Sequence, residues 1–321
     1  MRHGTARVLL KARPTPEQIR DRLSPPRPDG LELYLDVHDI AGAGWLEGLR
    51  RTVCRYCPDG GFALAIEGPL RSLDGSFFDL SRDSEANREV VRRVVQASKA
   101  LGGQVAVLHL IAPRLASEPS GRGARQQALE EAVGLASFYA EACAQAGVVP
   151  TLENVPPIAR MRENGYYQSL VGMDPTDLLF MVSQVPGLRL TLDVSHAQLY
   201  LNCLRGQWET QPGESLLPEL TAVLDGLRCD PEVRSIDDYM LAVEDCVENV
   251  HVSNARGVLG EGLPYDDGDL DLDSVVTRLA RLARCLVTET IEPDPERAFY
   301  MREAQTRMLT VLGRWPTGAP A

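Results

Sequence analysis

Eight short β-rich apolar runs recur along this chain, each set apart from the next by a longer polar or amphipathic stretch. That alternation limits the fold more than any other feature. The runs are residues 6–11, 31–37, 62–66, 104–110, 148–152, 188–192, 247–252 and 285–288. Most are continuously apolar, the pattern of parallel strands covered on both faces. Helical patterns lie between them. Ser84, the amphipathic stretch up to Leu101 and then Gly102 read as a capped and terminated helix. Residues 125–146 are rich in Ala, Glu and Gln and stop at Gly147. Asp174-Pro175 opens a further helix with a cap residue and a proline at its first position, and residues 271–282 and 295–312 close the series.

Eight βα alternations fit either a closed barrel or a doubly wound sheet. No GxGxxG follows an early strand, which argues against a dinucleotide-binding sheet, and the count of eight favours a (β/α)8 barrel. A chain of 321 residues would on length alone suggest about two domains. A barrel accommodates it as one, residues 1–321, with a core over residues 6–312, a helical insertion at 197–244 after strand six and a flexible tail at 313–321.

Composition adds exclusions. No apolar run approaches the roughly 20 residues that a membrane span needs. The basic start is followed at once by proline and charge, unlike a secretory signal. Seven scattered cysteines do not form a disulfide framework, so the expected compartment is the reducing cytoplasm. Cys54-x-x-Cys57 is the one tight pair, and at the end of an amphipathic segment it reads as packing rather than as a zinc or redox site. A net charge of -12 lacks the basic footprint of a nucleic-acid binder.

The polar residues are placed unevenly. Of five histidines, His38, His109, His196 and His251 lie in or just after the carboxyl end of a predicted strand. Glu67, Glu153, Asp193 and Glu289 share that position. In a barrel those ends form the face on which catalytic groups converge. Any one of these residues would more often be a helix cap, a turn residue or a hydrogen-bonded core group. Together they point to a shared cation, because an unpaired carboxylate after several apolar residues is costly to bury. Three carboxylates and one imidazole suit one divalent ion, with Mn2+ first and Co2+, Mg2+ or Zn2+ as alternatives. Such an ion would grip vicinal carbonyl and hydroxyl oxygens. Glu153 and Glu289, on strands five and eight, could then move protons on opposite faces of a substrate carbon.

At these residues the chain resembles the xylose isomerase-like barrel superfamily of sugar and sugar-phosphate isomerases and epimerases. The strand-five motif stands as TLEN, with Glu153 and Asn154; the strand-six motif as LDVSHA, with Asp193 and His196; the strand-seven histidine as His251 in VHVSNARG; and the strand-eight glutamate as Glu289 in TETIEP. The resemblance runs from Leu31 to Glu292. It implies Glu153, Asp193, His251 and Glu289 as metal ligands, with Glu153 and Glu289 also transferring protons. It implies that His196 contacts a substrate oxygen, with Arg256, His109 and Glu67 as further substrate-binding residues.

The chain also departs from its relatives. The superfamily's apurinic endonucleases carry a strand-three histidine where Glu67 stands, and an Asp-x-His after strand seven where this chain has VLGEGLPYDDGD. A trinuclear phosphodiesterase site is therefore the least favoured reading. The leading one is a metal-dependent isomerase or epimerase of a polyol or keto-sugar. A dehydratase of the inosose or dehydroshikimate type shares the same first proton abstraction and differs by a leaving-group acid, for which His109, His38 and Tyr265 are candidates. A non-catalytic metal-binding scaffold is the reading from outside enzymology. Arg71, Arg114, Arg160, Arg162 and Arg256 are candidates for holding an anionic group at the mouth. The expected partner is a small molecule, with no nucleic acid and no membrane, and a homo-oligomer is compatible with the sequence.

Overall fold

The computed structural model describes residues 6–57, 62–114, 121–160, 166–206 and 233–315. Every apolar run named above becomes a strand: β1 (Arg7–Ala12), β2 (Gly30–Tyr34), β3 (Ala63–Glu67), β4 (Val105–His109), β5 (Val149–Glu153), β6 (Arg189–Asp193), β7 (Val247–Val252) and β8 (Cys285–Thr288). All eight pair in parallel, and β8 closes onto β1 with Arg7 opposite Cys285 and Leu10 opposite Thr288. The result is a closed (β/α)8 barrel.

Strand residues alternate between two environments. Val8, Leu10, Leu31, Leu33, Leu64 and Ile66 belong to the large apolar layer between strands and helices. Leu9, Ala63, Ala65, Val105, Val107, Cys285 and Val287 form a separate buried cluster inside the barrel. On the opposite inner wall polar groups satisfy one another, with Thr151 and Thr191 sharing a 2.7 Å hydroxyl hydrogen bond. The alternation follows from the two-residue period of a strand. It carries the same inward set up to Lys11, Glu67, His109, Glu153, Asp193 and His251, at or next to the strand ends that form the mouth.

The helices start and stop largely where the sequence signals lie. Helix α4 (Glu85–Leu101) is the fourth in the chain, after α1 (Pro16–Arg22), α2 (Val37–Ile40) and α3 (Trp45–Tyr56). Ser84 accepts a hydrogen bond from the Asn87 amide at its start, and Gly102, at φ 74°, ends it in the left-handed conformation. Helix α5 runs over Arg122–Ala146, beginning three residues before the amphipathic pattern. Helix α6 (Pro175–Gln184) has Asp174 as its cap.

Two sequence expectations need correction at the carboxyl end. The last helix is Phe299–Val311 rather than 295–312. The Glu292 carboxylate accepts hydrogen bonds from the Tyr300 and Met301 amides at 3.0 and 2.7 Å, so a residue seven before the helix sets its start. The tail is also anchored further than expected, because Arg314 holds Asp29 through two 2.7 Å bonds and donates to the Ala6 carbonyl. Among the described residues, the segment expected as an insertion (197–244) takes in most of α7 (Val194–Leu204), which starts three residues before it, and all of α8 (Ile236–Val243), while its residues 207–232 lie outside the described residues. Helix α9 (Leu272–Leu279) ends three residues earlier than expected, and Phe299–Val311 is α10. Among the described residues no helix is long and apolar enough to cross a membrane.

Candidate metal centre at the barrel mouth

Glu153 ends β5, Asp193 ends β6, His251 is the fifth residue of β7 and Glu289 directly follows β8. Barrel closure brings all four together: one ligand atom from each lies within 4.8 Å of the others. Three are fully or almost fully buried, and the Glu289 side chain is 27% exposed toward the mouth. His251 Nδ1 lies 3.3 Å from Glu153 Oε1, 2.5 Å from Glu289 Oε2 and 4.0 Å from Asp193 Oδ2.

The ring of His251 is oriented from behind. Glu32, one layer deeper on β2 and completely buried, meets His251 Nε2 at 2.8 Å with one oxygen and accepts from Asn249 Nδ2 at 2.8 Å with the other. A carboxylate on the far ring nitrogen leaves the near one aimed at the cluster, an arrangement typical of metal-ligating histidines. Burial opposes the imidazolium, but Glu153, Glu289 and Glu32 outweigh it and raise the His251 pKa well above its ordinary value. Glu153 is held down to about 2: burial works against its anion, and His251 and His109 more than compensate.

Asp193 sits at a strand-to-helix junction without an intervening loop. Its Oδ1 caps α7 by accepting from the His196 amide at 2.7 Å, which leaves Oδ2 toward the cluster. Asn154 clamps it, taking the Asp193 amide at 2.7 Å and donating to its carbonyl at 2.9 Å. Burial lifts the Asp193 pKa to about 6 despite His196.

The four groups fit a divalent cation. Both Glu153 oxygens are buried without a hydrogen-bond partner, with imidazole nitrogens standing off at 3.3 Å (His251), 3.5 Å (His109) and 3.6 Å (His196). Buried acceptors left unpaired are destabilising. A hard or borderline ion between three carboxylates and an imidazole would satisfy them.

Other sequence candidates divide. His109 lies 3.5 Å from both Glu67 and Glu153, and burial lowers its pKa. His196 is beside the quartet, with Nδ1 2.8 Å from the Asn154 carbonyl. Glu67 adjoins the site through an ion pair with Lys11. Arg256 instead turns outward, 58% exposed, and pairs with Asp267 at 2.6 Å. His38 is exposed on α2, and Tyr265 is buried in the packing, its carbonyl accepting from Asn254. Arg71 stacks on Phe77, and Arg114 faces Asp79 at 3.8 Å. The Arg160 side chain and Arg162 fall outside the described residues. Cys54 and Cys57 are free thiols at the end of α3, and burial pushes Cys57 up to about 11.

Three mouth residues escaped the sequence reading. Lys11 on β1 ion-pairs with Glu289 and Glu67 and lies 3.9 Å from Glu32. Glu32 backs His251. Glu261, on a hairpin after β7, faces His196 Nε2 at 3.7 Å. A charged residue at an inward position of an otherwise apolar strand was the available signal for Lys11 and Glu32. For Glu261 the signal was its flanking glycines.

The architecture defines a parallel α/β barrel with an acidic and histidine-bearing cluster, able to hold a metal ion, at the carboxyl ends of its strands. Residues 29–309 match the xylose isomerase-like TIM barrel family, and the chain belongs to it. No curated protein matches the sequence. Among solved structures it is similar to a D-tagatose 3-epimerase-like protein (16% identity, TM-score 0.61, covering 96% of this chain and 98% of the other). It is also similar to the TTHB071 protein of Thermus thermophilus soaked with ZnCl2 (17%, 0.58, 97% and 99%). A third similar structure is the 3-keto-D-glucoside 4-epimerase of E. coli (14%, 0.58, 96% and 98%).

Proposed function

We propose that this barrel is a divalent-metal-dependent isomerase or epimerase that moves a proton next to a carbonyl on a sugar, polyol or keto-sugar-like molecule. The observation that carries the proposal is the convergence of Glu153, Asp193, His251 and Glu289 on one spot, with both Glu153 oxygens lacking a hydrogen-bond partner. These four residues would hold the ion. When bound, it would polarise a substrate carbonyl and stabilise the charge left as a proton departs from the neighbouring carbon.

The chain's own residues supply the rest. Glu153 and Glu289 stand on strands separated by β6 and β7 in the barrel order, and in this reading their carboxylates approach a bound carbon from different sides. One removes the proton and the other returns it to the opposite face. His196 has its Nδ1 engaged by the Asn154 carbonyl, which leaves Nε2 for a substrate oxygen. His109 and Glu67 line the side toward β3 and β4. Similarity to structures named as sugar epimerases supports the substrate class.

The test is solvent exchange. Protein loaded with Mn2+ is incubated with ketoses, inososes and dehydroshikimate in D2O and followed by NMR. Deuterium entering a carbon without loss of water is the expected result. Glu153→Gln and Glu289→Gln should each slow it by roughly 10²–10⁴-fold, the usual contribution of a positioned base. Exchange with loss of water would make the protein a dehydratase. Metal binding without exchange or turnover of any compound would overturn the enzymatic reading.

A further inference from the structure

The hairpin after β7 puts a carboxylate over the mouth that neither the metal quartet nor the proton-transfer pair uses. Asn254–Arg256 pairs antiparallel with Gly260–Leu263, and Glu261 lies between two glycines. Neither glycine tolerates a side chain. A Cβ at Gly260 would fall 2.7 Å from the Arg256 carbonyl oxygen. At Gly262, with φ at +67°, it would fall 2.5 Å from Ile291 Cγ1. Only a sequence of this kind lets the hairpin lie so close to its neighbours.

The hairpin is also fastened. The Ile291 amide donates to the Gly262 carbonyl at 2.7 Å, tying it to the segment after β8. The Gly262 amide donates to Ser195 Oγ at 3.4 Å, and Ser195 Oγ donates to the Asn254 carbonyl at 3.3 Å, tying it to the first turn of α7. Asn254, itself buried, donates to the Tyr265 and Leu270 carbonyls and accepts from the Leu270 amide. Glu261 is thus carried on fixed backbone, with its side chain 27% exposed to the mouth.

Glu261 Oε2 lies 3.7 Å from the free nitrogen of His196, Nε2, too long for a hydrogen bond. Two groups aimed at one space without bonding each other can both reach a hydroxyl placed beside them. Arg256, the residue the family pattern would offer to substrate from this loop, is instead committed to Asp267 at the surface. We propose that Glu261 is a substrate-binding, specificity-determining residue, accepting a hydrogen bond from one hydroxyl of an uncharged polyol or ketose while His196 Nε2 contacts the adjacent oxygen. This rests on the sugar-like substrate class proposed above and adds the residue that selects a hydroxyl within it.

The experiment is a functional-group deletion cycle read by binding, which does not require turnover. Mn2+-loaded wild type, Glu261→Ala and Glu261→Gln are titrated calorimetrically with neutral ketoses and polyols, then with the monodeoxy forms of the tightest binder. Glu261→Ala should weaken the parent ligand by roughly ten- to a hundredfold, as for loss of a hydrogen bond to a charged group. Glu261→Gln, which keeps the shape and an acceptor oxygen, should lose less. One monodeoxy analogue should bind wild type and Glu261→Ala equally, and the others should keep the difference, with one Mn2+ bound per chain throughout. Equal binding of the parent by all three proteins, or the same loss for every deoxy analogue, overturns the assignment. Polyol binding that depends on Glu261 but brings no proton exchange would sink the isomerase reading and leave this one standing. Failure of every neutral ligand to bind the metal-loaded wild type would sink both.

Discussion

Lys11→Met tests the electrostatics of the mouth without replacing any of the quartet. The ammonium of Lys11 is buried against Glu67 and Glu289 and lies 3.9 Å from Glu32. Methionine keeps most of its length and removes the charge, leaving carboxylates without their cation in the interior. Removing one partner of a buried ion pair costs about 3–5 kcal/mol. At roughly 2 °C per kcal/mol for a chain of this size, thermal unfolding of the metal-free variant should fall by about 6–10 °C. The loss should depend on pH in a defined direction. Burial already raises the Glu67 pKa well above its ordinary value, with Lys11 opposing the rise, so removing Lys11 raises it further. A carboxyl that binds its proton more tightly folded than unfolded loses stability as pH rises above the unfolded value near 4.3. Wild type loses it too until pH passes its own Glu67 pKa, beyond which only the variant goes on losing it, so the deficit should grow toward alkaline pH and is read at pH 5.5 and pH 8. Added Mn2+ should recover part of it, because the ion supplies positive charge next to Glu289. Calorimetric scans of wild type and variant at the two pH values, with and without Mn2+, measure all three effects. A variant within about a degree of wild type at pH 8, or a deficit that shrinks as pH rises, would show that Lys11 does not neutralise this cluster.

Metal analysis after dialysis should find one divalent ion per chain in wild type, close to none in His251→Ala, and an unchanged content in Cys54→Ser and Cys57→Ser; retention by His251→Ala would displace the proposed ligand set. Metal affinity should rise with pH. The neighbouring carboxylates keep His251 protonated at neutral pH in the metal-free protein, and the ion must displace that proton. Calorimetry in buffers of different ionisation enthalpy should register about one proton released per ion at pH 7, with affinity falling about tenfold for each pH unit of acidification, so affinity that is flat between pH 6 and 8 contradicts it.

Much of this protein is local information. Each strand is a short apolar run bounded by helix signals such as Ser84, Gly102 and Asp174-Pro175, and the two-residue period of a strand decides which face each residue takes. Because Glu153 and Asp193 end their strands and His251 and Glu289 lie within a residue of the ends, closing eight such strands into a barrel brings them together. The tertiary structure decided what lies across the barrel from them. Lys11 and Glu289 are 278 positions apart and meet only because β1 pairs with β8. Glu32 reaches His251 from one layer deeper, a depth set by strand register and stagger rather than by any residue near either one. Arg256 and Glu261 are five positions apart on one hairpin, and in sequence the arginine is the better candidate for the mouth. The hairpin, which turns at Gly257–Leu259 and returns through Gly260 and Gly262, sends Glu261 inward and Arg256 out to Asp267, because side-chain direction there follows backbone conformation and the neighbours it packs against, and neither repeats with a period that sequence can reveal.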